Sequence, residues 1–167
     1  NNRRHHGALR LTMLDSPLGN LLDTGRIQLN ANLSSKKKSL ETLSRLFAEN
    51  DNSLDQDLVF DAFTSREKLG STALENGIAI PHCRFSGCTQ AQSAILTLDN
   101  GIDFDARDGK PVDLLWALIV PTESTDEHLA ILALIAKILS QDPLCQKIRQ
   151  ACDANSLKQT LMQFDFN

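Results

Sequence analysis

Apart from the adjacent pair His5-His6 near the start, the chain carries just two histidines, His82 and His128. A neutral imidazole attacks phosphorus when one ring nitrogen presents its lone pair and an acceptor holds the proton on the other. The transferring phosphoryl group spreads negative charge over its oxygens, so its passage needs alignment and charge stabilisation. Arg66 offers a planar fork for such an anion, and Ser71 and Thr72 after Gly70 offer hydroxyl and backbone donors in a short polar turn. Each also has an ordinary reading: a hydrogen-bonded structural histidine, an arginine on helix-end carbonyls, and common Gly-Ser-Thr turn chemistry. Chemistry is favoured only where His82 and His128 converge on one surface.

Other chemistries are poorly supplied. No Walker-type loop and no spaced nucleotide fingerprint is present, so ATP is not the expected immediate donor and no cofactor is expected. His82, Cys83 and Cys88 are imaginable as metal ligands, but Cys83 and Cys88 form no C-x2-C pair and a fourth ligand is lacking, so no metal is expected. The four cysteines, Cys83, Cys88, Cys145 and Cys152, have unrelated spacings. Reduced thiols in the cytosol are the simplest reading.

The elements that must position these residues follow from periodicity. A short helix is expected through Leu18, Leu21 and Leu22, then a strand at Ile27 to Leu29. Ser34 or Ser35 caps a helix whose Leu40, Leu43, Leu46 and Phe47 form one apolar stripe, with Lys36 to Lys38 on its solvated side. Ser53 and Gln56 have capping-box spacing for a helix bearing Val59, Ala62 and Phe63, and Arg66 continues that face towards an end set by Gly70. Asn76-Gly77 marks a turn, and Pro81 is expected to end strand pairing so that His82 sits at a strand-to-loop junction.

Gln92 to Leu98 reads as a strand. Phe104 to Ala106 is expected to hairpin through Asp108-Gly109 into Lys110 to Val120, whose Leu-, Val- and Ile-rich end has the pattern of a central buried strand. Ser124 and Glu127 suggest a capping box for a helix carrying His128, Ile131, Leu132, Ile135 and Leu139 on one face. Asp142 is expected to cap a helix starting at Pro143, and Ser156 a last one ending near Phe164. Helices around a strand-rich middle predict an α/β fold.

At 167 residues the chain suits a single domain. Its 41% hydrophobic and 23% charged content is that of a chain able to build a core. Residues 1–14 are set aside as an N-terminal extension, native or added, and residues 15–167 are taken as the domain. A net charge of −4 gives no broad attraction to nucleic acid or anionic membranes. The apolar run from Leu114 to Val120 is far short of the roughly 20 residues that span a bilayer, and no signal-peptide pattern opens the chain. A cytoplasmic protein without membrane insertion is expected.

The segments Arg66-Glu67-Lys68-Leu69-Gly70-Ser71-Thr72 and Asn76-Gly77-Ile78-Ala79-Ile80-Pro81-His82 together resemble the signature of the mannitol/fructose-type enzyme IIA family of the phosphotransferase system. The likeness extends through Lys110-Pro111-Val112-Asp113-Leu114-Leu115 and the helix beginning at His128. It implies a mixed β-sheet flanked by helices, with His82 phosphorylated, Arg66 and His128 as its companions, and a histidine-phosphorylated HPr-type carrier as donor. One departure stands out: the family usually has Gly after its phosphorylated histidine, whereas Cys83 stands here, which would be strained if the position needed positive φ.

Two branches of that family share the chemistry, sugar-uptake IIA domains that pass phosphate to a IIB domain and nitrogen-regulatory IIA proteins. Gly101-Ile102-Asp103-Phe104-Asp105-Ala106 and Pro111-Val112-Asp113-Leu114-Leu115-Trp116-Ala117-Leu118 resemble the regulatory branch more closely. An alternative of another class is a non-catalytic binding module, with His82 structural and a partner docked near Arg66.

Overall fold

The computed structural model describes residues 17–123 and 125–164. The expected N-terminal extension and Ser124, with its half of a capping box, lie outside them.

The sequence VDLLWALIV buries almost every side chain, and a strand can do that only with both faces covered. This strand, β5 (Val112–Val120), is the spine of a mixed sheet. It runs antiparallel to β4 (Gln92–Ile102), which is parallel on its far edge to β1 (Ile27–Ala31). On the other edge two short strands, β2 (Ile78–Ala79) and β3 (His82–Arg84), lie parallel to β5.

Period-two alternation sorts β5 between two cores. Leu115, Ala117 and Ile119 join the core under α2 (Lys36–Asn50) and α3 (Gln56–Lys68). Leu114, Trp116, Leu118 and Val120 join the core on the opposite side. That second core is covered by α1 (Pro17–Leu21), α4 (Thr125–Leu139), α5 (Asp142–Gln150) and α6 (Ala154–Met162). The expected α/β architecture, a mixed sheet flanked by helices, is the one observed.

Helix α3 is clamped by its apolar stripe: Phe63 is fully buried and packs on Phe47 of α2 with ring centroids 6.0 Å apart. Truncating such an aromatic costs about 3–5 kcal/mol, so the position of Arg66 one turn later is firmly set.

Several local expectations are corrected. Regular pairing does lapse at Ile80-Pro81, but His82 opens a strand and not a loop: Ile78 faces Leu114 and His82 faces Leu118 with no change of register. Proline lacks only the N–H donor, and the Pro81 carbonyl still accepts from the Leu118 N–H at 2.9 Å. Phe104 to Ala106 form no strand: Asp105 has φ +57°, and β4 reaches β5 through the Ile102–Val112 pair instead. Fully buried Phe104 plugs the first core there, with the Lys36 ammonium 4.6 Å from its ring centroid.

The caps shift as well. Ser35 caps α2, accepting from the Lys38 N–H at 3.1 Å. Helix α3 is capped by the Asp55 carboxylate, while Ser53 turns back to donate to Asp51. Helix α5 has Gln141 at its N-cap without a side-chain bond, and Asp142 lies in its first turn. Asp153 caps α6, with Ser156 donating to it. On α3 and α6 a carboxylate takes the orphan helix donors in place of a serine, since a charged acceptor makes the stronger bond.

Candidate functional site

His82 emerges where β3 resumes pairing after Pro81, and alternation along β3 sends successive side chains to opposite faces. Cys83 turns into the core beneath α2 and α3, while His82 is half-buried and Arg84 exposed. The departure from the family pattern therefore carries no backbone strain: Cys83 lies in regular strand, outside the positive-φ residues. Burial pushes its thiol up to about 12, so it is no ready thiolate beside the site.

The His82 Nδ1 lies 2.8 Å from the Ile80 carbonyl oxygen. A carbonyl only accepts, so the neutral ring bonded there carries its proton on Nδ1 and leaves the Nε2 lone pair free. Burial lowers the His82 pKa most. The Ile80 carbonyl opposes that, the Arg66 charge lowers it further, and the Glu67 charge raises it.

The two histidines do converge. The His128 ring meets that of His82 edge-on, with centroids 6.0 Å apart and planes at 73°. His128 comes from the first turn of α4 and is nearly buried. Its Nδ1 has no hydrogen-bond partner among the described residues. Burial lowers its pKa, helped by the nearby His82 and Arg84. Both rings are thus held towards the neutral form.

Arg66, in the last turn of α3, donates from Nη1 to the Gly70 carbonyl at 2.8 Å. The ordinary helix-end reading and the anion-binding reading coexist, because only part of a five-donor fork is used there. Ser71 and Thr72 have partners within the fold. The Ser71 hydroxyl donates to the Phe104 carbonyl at 2.6 Å, and both the hydroxyl and the N–H of Thr72 are taken by the Glu67 carboxylate. The two hydroxyls and the Thr72 N–H thus tie the loop to Phe104 and Glu67.

Two residues escaped sequence reasoning. Arg84 shares a strand face with His82, a relation visible in the two-residue spacing. Glu67 was read only as part of a motif, yet its side chain is 5% exposed and pairs with Lys36 at 3.0 Å. Lys36 likewise leaves the solvated face assigned to it, bridging Glu67 and, at 3.4 Å, Asp105. Among the described residues no three His, Cys, Asp or Glu side chains are grouped to hold a metal ion, and no single helix is long and apolar enough to cross a membrane.

Residues 20–163 match the family described as phosphoenolpyruvate-dependent sugar phosphotransferase system, EIIA 2. The chain belongs to this family. Over 145 residues this EIIA 2 chain is 45% identical to the nitrogen regulatory protein of Pseudomonas aeruginosa, covering 87% of the chain and 94% of that relative. Its fold superposes on the nitrogen regulatory protein IIA-Ntr of Neisseria meningitidis with a TM-score of 0.82 and 37% identity, over 87% of this chain and 99% of the other. IIA mannitol of Escherichia coli shares the fold at a TM-score of 0.69 and 15% identity, over 84% of this chain and 97% of the other.

Proposed function

We propose that this EIIA 2 protein is a cytosolic nitrogen-regulatory phosphocarrier. It accepts a phosphoryl group on His82 Nε2 from a histidine-phosphorylated HPr-type carrier, and it signals through its phosphorylation state. The observation that carries the reading is the 2.8 Å bond from His82 Nδ1 to the Ile80 carbonyl, made beside His128.

The acceptor carbonyl belongs to the Ile80-Pro81 peptide, a tertiary amide. It fixes the tautomer before the donor arrives, so orientation is established in advance. In the transfer step the Nε2 lone pair forms the new N–P bond while the donor's N–P bond breaks, its electron pair returning to the donor ring. The Nδ1 proton stays on His82, and the carbonyl stabilises the positive character the ring acquires. Arg66 neutralises charge on the phosphoryl oxygens, and His128 donates a hydrogen bond to them once protonated.

The identity to a relative named for nitrogen regulation, three times that to the mannitol protein, supports the regulatory branch over sugar uptake. Intact-mass measurement after incubation with phosphoenolpyruvate, enzyme I and the HPr-type carrier tests the proposal. One phosphoryl group should appear on the wild-type chain and none on His82→Ala. A chain that stays unmodified while the carrier is phosphorylated would refute it.

A further inference from the structure

Three hydrogen-bonded links join a buried carboxylate to His82. The Glu67 carboxylate accepts from the Thr72 N–H at 3.1 Å and from the Thr72 hydroxyl. The Thr72 carbonyl accepts from the Ile80 N–H at 3.1 Å. The Ile80 carbonyl then holds His82 Nδ1 at 2.8 Å. We infer that Glu67 is the positioning residue for the phosphoryl acceptor, acting through Thr72 and Ile80 to aim His82 Nε2 outwards.

Each link has a physical reason. The segment 70–77 between α3 and β2 contains Gly70 at φ +152° and Gly77 at φ +81°, so its backbone is permissive and needs an anchor. A charged carboxylate receiving two donors from one residue is a strong anchor. Thr72, 7% exposed, then presents its carbonyl to the strand edge just before Pro81. Pro81 itself has no N–H with which to tie the turn, so Ile80 is the residue that fixes it. With Thr72 displaced, the Ile80 carbonyl loses its alignment and the ring is freed to carry its proton on Nε2, the nitrogen that must attack.

The inference rests on His82 as acceptor, but its decisive readout needs no phosphate. The 15N chemical shifts of the His82 ring, recorded on unphosphorylated protein above the His82 pKa, report which nitrogen is protonated. Wild type should show a protonated Nδ1 and a bare Nε2. Glu67→Ala should show a mixture of tautomers, with phosphoryl uptake about tenfold slower, as misaligned reacting groups are.

Glu67→Gln keeps acceptor oxygen but no charge, so it should fall between the two. Lys36→Ala removes a neighbour of Glu67 that lies off the path to His82, and it should leave the tautomer as in wild type. Folding of each variant is checked by its thermal transition. An unchanged Nδ1-protonated ring in folded Glu67→Ala would overturn the inference, as would an equal tautomer change in Lys36→Ala. Failure of the wild-type chain to take phosphate would refute the proposed function, whereas the ring-nitrogen result bears on Glu67 alone.

Discussion

His128 presents its ring edge-on to His82 across 6.0 Å between centroids, with its own Nδ1 unpartnered among the described residues. Two imidazoles so close cannot both be charged at low cost, and each lowers the affinity of its surroundings for a second proton. The site is therefore poised for an anion: a phosphoryl group on His82 would reverse the field at His128 and favour its imidazolium.

The first prediction is that phosphorylation raises the His128 pKa, and that His128→Ala still accepts phosphate but passes it on more slowly. A charge-assisted bond of about 1.5–3 kcal/mol corresponds to roughly tenfold or more in rate if it strengthens in the transition state. NMR titration of both forms, with single-turnover kinetics of the variant, checks it. An unmoved pKa together with wild-type kinetics would return His128 to a structural role.

Arg66→Lys should slow phosphoryl uptake about tenfold, because lysine keeps the charge but loses the planar two-point grip. Comparing arginine, lysine and glutamine in rapid-quench transfer separates charge from geometry. Full rate with lysine would leave Arg66 as nothing more than the cation on the Gly70 carbonyl.

Alkylation of the native protein should label Cys152, the exposed cysteine, well before Cys83, Cys88 or Cys145. Burial holds the Cys83 thiol near 12, so little thiolate is available to react even in mildly alkaline buffer. Peptide mass mapping after a short pulse gives the order. Early modification of Cys83 would show that β3 opens readily and that the acceptor strand is poorly held.

The pH dependence follows from the lowered pKa values of His82 and His128. The unfolded chain binds protons on these rings at an ordinary value of about 6.5, whereas the folded chain binds them only at lower pH. Between those values the unfolded state carries more protons, so this stability contribution is complete above about pH 6.5 and is lost as pH falls through the folded pKa values. Urea midpoints from pH 7.5 to 5 should decline more steeply for wild type than for His82→Ala. Phosphoryl acceptance should persist somewhat below pH 6.5, since His82 stays neutral there. Parallel midpoint curves would contradict the lowered His82 value.

Much of this was legible in the residues. The Leu40, Leu43, Phe47 stripe and the all-apolar run of β5 announced α2 and the central strand, because burial imposes a period that can be read. The convergence of His82 and His128 was suggested by motif and element ends. What stayed hidden depended on competition between alternatives. Whether Asp55 or Ser53 caps α3 is decided by which acceptor stands nearest the orphan donors, and the pairing beyond Pro81 depended on a carbonyl that proline retains. The Glu67 anchor was least visible of all, since a charged residue reads as solvated until its partners, Lys36 and Thr72, are brought in from other parts of the chain.

The central claim is that the phosphoryl group sits on Nε2 of His82, and phosphorus–nitrogen correlation NMR on ring-15N-labelled protein tests it most directly. The predicted spectrum couples phosphorus to His82 Nε2 alone, with Nδ1 still protonated, and the adduct is lost in warm acid as an N–P bond should be. Coupling to His82 Nδ1 or to His128, or an acid-stable adduct on Ser71 or Thr72, would contradict the account.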